Sequence, residues 1–133
     1  MREIKKVVVH CSATSPDMDD VGADMIRDWH VQGNGWSDIG YHYVITRKGV
    51  IQEGRPIEKA GAHAKGHNAD SIGICLVGGV DENDKPTANF SYQQYRALVS
   101  VLSLYPECDV VGHNELSSKE CPCFDVKSFI QGL

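Results

Sequence analysis

The run Val7-Val8-Val9 constrains this chain more than any other stretch. Consecutive β-branched residues with no polar partner make a strand covered on both faces, and such strands belong to sheets with layers packed above and below. Residues 71–79 have the same character, with Ile72, Ile74, Leu76 and Val77 set among small residues. Doubly buried strands need helices to cover them, so the remaining sequence is read for helices first.

The first helix is predicted over residues 21–31, where Val21, Met25, Ile26 and Trp29 fall at helical spacing. Asp20 stands as its N-cap and Gly33-Asn34-Gly35 as its end. A hairpin follows, with residues 41–46 and 50–53 flanking Arg47-Lys48-Gly49, whose glycine tolerates the positive φ of a turn. Alternation sends Tyr41 and Tyr43 to one face and His42 to the other. Residues 54–70 lack periodicity and read as a surface loop.

Ser91 opens a second helix through a capping box closed by Gln94, with Tyr95, Leu98, Val99 and Leu102 as its apolar stripe. Tyr105-Pro106 stops it. Residues 109–113 read as a short strand, and Asp125 caps a last helix running to Gln131. The order β, α, β-hairpin, β, α, β, α predicts an α/β fold. One domain over residues 1–133 is expected, with a mixed central sheet of about five strands flanked by helices.

A chain of 133 residues buries roughly 68% of the surface it exposes when unfolded, so folding requires neither a disulfide nor a metal. The formal net charge of −5 argues against nucleic acid as a partner, since that footprint needs clustered Lys and Arg. No apolar run approaches the ~20 residues that span a bilayer, and His10 interrupts the apolar start before a signal peptide could form. The expectation is a protein made in the cytoplasm without a signal peptide, off the membrane, and monomeric. Its five cysteines are an odd number in an unexported chain, which points to free thiols or metal ligands.

Residues 112–123 place an imidazole, an ammonium and two thiols close together: His113, Lys119, Cys121 and Cys123. Zinc takes neutral imidazole and thiolate together, and His113 with either cysteine supplies one of each. His10 is the candidate third ligand, because it ends a buried strand as His113 does. Three protein ligands leave zinc's fourth position for water, the arrangement of a catalytic rather than a structural site. Spacing alone does not separate Cys121 from Cys123.

Several blocks carry a family resemblance: Val9-His10-Cys11-Ser12-Ala13-Thr14, Gly40-Tyr41-His42-Tyr43, His63-Ala64-Lys65-Gly66, residues 71–79, His113-Asn114-Glu115 and Lys119-Glu120-Cys121-Pro122. In this order they resemble the type 2 zinc N-acetylmuramoyl-L-alanine amidases, in particular the small phage lysozymes of that family, which are related to the peptidoglycan recognition proteins. The resemblance implies a peptidoglycan amidase of the endolysin kind, acting on the cell wall after release. It would hydrolyse the amide between N-acetylmuramic acid and the L-alanine of the stem peptide.

It also implies one catalytic Zn2+ held by His10, His113 and Cys121, with Tyr41 and Lys119 as catalytic groups. His63 would line the substrate groove, while Asn114 and Glu115 could orient His113. A non-catalytic peptidoglycan-binding module is the alternative, and the presence of Cys121 favours the enzyme. A glycosidase would need two carboxylates flanking a sugar bond. Glu53 and Glu58 are available, but nothing in the sequence brings them together.

Overall fold

The structure, a computed structural model, describes residues 2–18 and 20–133. Its centre is β1, Lys6–Cys11, in which Val7, Val8 and Val9 are all completely buried. Burial of each such side chain contributes about 1.5–3 kcal/mol, so this strand alone anchors much of the fold. β1 pairs in parallel with β4 (Ser71–Leu76) on one side and β5 (Asp109–Gly112) on the other. β2 (Tyr43–Ile45) adds in parallel to β4, and β3 (Ile51–Glu53) closes the hairpin antiparallel to β2. The sheet is therefore mixed and five-stranded, in the order β3-β2-β4-β1-β5.

Alternation along β1 and β4 divides the core between two faces. Val7, Val9, Ile74 and Leu76 face α2 (Tyr92–Leu102) and α3 (Val126–Gln131), meeting Leu98, Val101 and Val126. Val44 and Cys75 point the other way, toward Ile26 of α1 (Ala23–Asp28). Cys75 is thus a core residue, as its setting in an apolar strand predicts.

Local capping follows the sequence in α2 and α3. Ser91 Oγ accepts from the Gln94 N–H at 3.2 Å, Gln94 Oε1 accepts from the Ser91 N–H at 2.9 Å, and Asp125 accepts from the Ser128 N–H. The buried Gln94 amide also donates to Ile45 O and Val77 O, tying α2 to the sheet.

Helix α1 departs from expectation at its start. Gly22, not Asp20, is its N-cap, and it offers no side-chain bond. Gln52 of β3 supplies the missing acceptor, since its Oε1 takes the Ala23 N–H at 2.6 Å. The helix then passes into a π turn, Trp29–Gly33.

The hairpin also corrects the face expected for Tyr41. The backbone bends at Gly40 and His42, so regular alternation begins only at β2. Tyr43 packs with the α2 face, whereas Tyr41 rests against the cluster of Ile39, Val44 and Cys75.

β4 ends before the glycines of its predicted run. Gly78 and Gly79 adopt positive φ, and a side chain on Gly79 would meet Cys11 Sγ at 2.5 Å. The strand stops where the backbone must turn over that thiol. Among the described residues no helix is long and apolar enough to cross a membrane.

Candidate metal centre

Parallel pairing of β1 with β5 aligns Val9 with Gly112. The residues that follow, His10 near the end of β1 and His113 just past β5, therefore stand side by side at the sheet's carboxyl edge, where α/β folds form their ligand crevices. The two imidazole centroids are 4.5 Å apart. Cys121 arrives from the loop before α3, and its Sγ accepts the backbone N–H of Cys11 at 3.0 Å. Donor atoms of His10, His113 and Cys121 lie within 4.8 Å of one another.

Those donors suit zinc. Burial, with the nearby His63, His113 and Lys119, holds His10 well below the ordinary imidazole pKa. His113 is lowered too, by burial and by the charge of Lys119. Both rings are thereby kept neutral, as coordination requires. Two neutral imidazole nitrogens and a sulfur that accepts an N–H bond make a donor set matched to a borderline-soft ion.

The rival thiol lies elsewhere. Cys123 Sγ is directed to Gly79 O at 3.3 Å, and burial pushes its pKa up to about 11. The Cys11 thiol is also raised, first by its hydrogen bond to Cys121 and then by burial. It acts as a donor beneath the site.

Tyr41 lies against His10, the two ring centroids 5.1 Å apart. Part of the residue is open to solvent, but its phenol is enclosed among Cys75, Cys121 and Cys11. Burial first, and then these thiols, raise its pKa well above the ordinary tyrosine value. At neutral pH it is consequently an O–H donor. His30 steadies this side, because its Nδ1 accepts the Gly40 N–H at 2.9 Å and its ring packs on Trp36 and Tyr41.

A groove of about 490 Å³ runs past the cluster, lined by Trp36, Lys65, His113, Leu116 and Lys119 among others. A larger hollow of about 690 Å³ opens beside α1, but Asp20, Asp24, Asp28 and Glu53 line it without an imidazole or thiol. The smaller groove carries His63, His113 and Lys119 in its wall.

His63 meets the groove wall, yet its ring is turned inward. Nδ1 lies 2.8 Å from His10 Nε2 and Nε2 lies 3.3 Å from Ser71 Oγ, so neither nitrogen is free for a substrate. Asn114 and Glu115 do not orient the His113 ring. Glu115 accepts the Gly112 N–H and Asn114 donates to Phe124 O, fixing the main chain on either side. His42 bonds Lys59 O and the Gly73 N–H, and His67 meets Lys6.

Sequence reading passed over Ser71, Gly73 and Trp36. Gly73 carried a usable signal, since a glycine inside a buried strand marks a close approach. His63 fills the space above it, and a Cβ on Gly73 would lie 2.6 Å from His63 Cγ.

The chain is similar to known proteins in both sequence and fold. The profile of the N-acetylmuramoyl-L-alanine amidase family matches residues 1–124. The endolysin of Escherichia phage T7 is 45% identical over 125 residues, covering 91% of this chain and 82% of its own length. The amidase LysC from Clostridium intestinale superposes with a TM-score of 0.78 at 27% identity, over 96% of this chain and 83% of that one. A chain from the complex of peptidoglycan recognition proteins LCa and LCx bound to tracheal cytotoxin superposes at 0.76, with 27% identity, over 92% and 77%.

Proposed function

The chain belongs to the N-acetylmuramoyl-L-alanine amidase family, and from that premise we propose that it is a zinc-dependent peptidoglycan amidase of the endolysin kind. The reaction breaks the amide C–N bond between the lactyl group of N-acetylmuramic acid and L-alanine. Water is added across it, leaving a carboxylate on the sugar and a free amine on the stem peptide.

The observation that carries this reading is the convergence of His10, His113 and Cys121 donors within 4.8 Å, beside an enclosed phenol. These three residues would hold the zinc. Bound there, zinc supplies a Lewis acid that polarises the scissile carbonyl and lowers the pKa of a water toward neutrality.

The rest falls to the chain's own side chains. The groove along Trp36 and Leu116 takes the muramyl peptide. The Tyr41 phenol donates toward the carbonyl oxygen as negative charge develops on it. Lys119, on the same groove, supplies a cation to that charge and an N–H donor for the departing amine. The protein would act on the wall once released from the cytoplasm.

A non-catalytic wall-binding module would need the groove but no sulfur ligand. The sulfur of Cys121, which accepts the Cys11 N–H, favours the enzyme. Metal analysis tests the ligand set: about one zinc per chain copurifies with the wild type. Cys121→Ser loses zinc and activity, while Cys123→Ser keeps both. The reverse pattern would assign the sulfur ligand to Cys123.

A further inference from the structure

We infer that His63 is a positioning residue: with Ser71 it fixes the tautomer of His10, so that Nε2 carries the proton and the lone pair of Nδ1 is left for the metal. The inference rests on the proposed role of His10 as a ligand.

The argument follows single protons through a buried chain. Ser71 Oγ lies 2.6 Å from the carbonyl oxygen of His67, which can only accept, so the hydroxyl proton is committed there. Toward His63 Nε2, at 3.3 Å, the same oxygen can then only accept. Nε2 of His63 must carry a proton.

A neutral imidazole has one N–H, and His63 is neutral because its buried ring hydrogen-bonds only with His10 and Ser71 among the described residues, with no carboxylate to offset a buried charge. Nδ1 of His63 is therefore bare, and it faces His10 Nε2 at 2.8 Å. His10 Nε2 has to donate. His10 is as deeply buried and likewise has no carboxylate bonded to its ring among the described residues, so it is neutral and its Nδ1 carries the free lone pair. In the opposite tautomer two bare nitrogens would face each other out of reach of water.

Packing holds this chain in one arrangement. Ser71 and His10 are almost wholly buried and His63 nearly so. The His10 and His63 rings meet edge to face, with centroids 4.9 Å apart and planes at 88°. Asn68 Oδ1 accepts the His63 and Ala64 N–H groups, each at 3.0 Å, which anchors the loop carrying His63. An acceptor behind a ligating imidazole sets the ring's orientation and raises its basicity, and its loss typically weakens metal affinity roughly 10–100-fold.

Two measurements test the inference. Imidazole 1H–15N spectra of the metal-free protein report each tautomer directly, and chelator competition reports zinc affinity. Both His10 and His63 are expected to be protonated at Nε2 in the wild type. Ser71→Ala should introduce the Nδ1–H form of His63, because Nε2 loses its acceptor.

His63→Ala should bind zinc roughly 10–100-fold more weakly. His63→Asn, whose Oδ1 stands near the former Nδ1, should recover most of that loss. Protonation of His10 at Nδ1, or wild-type zinc affinity in His63→Ala, would overturn the inference. A wild-type protein that takes up no zinc would instead overturn the ligand assignment, and the metal-free spectra would still decide the tautomers.

Discussion

Gly73→Ala should disable the metal site without touching any proposed ligand. The new methyl would lie 2.6, 2.7 and 2.9 Å from Cγ, Cδ2 and Nδ1 of His63. Carbon atoms rest at about 3.5 Å or more, so the ring has to retreat by about 0.9 Å, and Nδ1 moves with it. The His10 bond, now 2.8 Å long, tolerates only a few tenths of an ångström before it passes the ordinary limit of about 3.2 Å.

Overpacking of this kind costs about 1–3 kcal/mol of stability. Loss of the acceptor behind His10 costs a further factor of about 10–100 in zinc affinity, or about 1.4–2.8 kcal/mol. The cost runs through one side chain, so it should vanish when that side chain is absent. In a His63→Ala background the methyl enters vacated space, and the second substitution should be nearly neutral.

A double-mutant cycle in urea, paired with chelator competition, measures this directly. A coupling of at least about 1 kcal/mol is expected between positions 63 and 73. Simple additivity, or wild-type zinc affinity in Gly73→Ala, would refute the reasoning.

Acid should destabilise the metal-free protein through the same histidines. His63 is held to about 3 by burial against a reference of 6.5, so between those values the unfolded chain takes up a proton that the folded chain refuses. Stability is therefore complete above about 6.5 and falls as pH drops toward about 3. At pH 5 His63 alone accounts for about 2 kcal/mol, and His10 acts in the same direction. Urea midpoints at pH 7 and pH 5 read this, and equal midpoints would contradict it. Tyr41→Phe should retain zinc and fold but lose about 10²–10³ in kcat, the effect of removing one oxyanion donor. An unchanged kcat would remove Tyr41 from the chemistry.

What could be read from the sequence was whatever leaves a local or periodic trace. Val7-Val8-Val9 and residues 71–79 gave two central strands because apolar runs of that length have few other homes. Ser91 with Gln94 gave the start of α2, since a capping box is contained in four residues. His10 and His113 were legible as a pair because each lies at the carboxyl end of an apolar strand run, and the in-register pairing of β1 with β5 turns that into proximity.

What could not be read depends on contacts between distant segments. Gln52 replaces Asp20 at the start of α1 from a strand 29 residues away. The orientation of Tyr41 depends on bends at Gly40 and His42 that break the two-residue period. The inward turn of His63 depends on Ser71, Gly73 and His10, which meet only once the sheet has formed. A loop histidine in an aperiodic stretch gives no sign of that beforehand.

The proposal of amidase chemistry is tested most directly by mass spectrometry of peptidoglycan digested with the zinc-loaded protein. The account predicts intact stem peptides with free L-alanine amino termini and glycan strands without new reducing ends. New reducing ends in the absence of such peptides would contradict it.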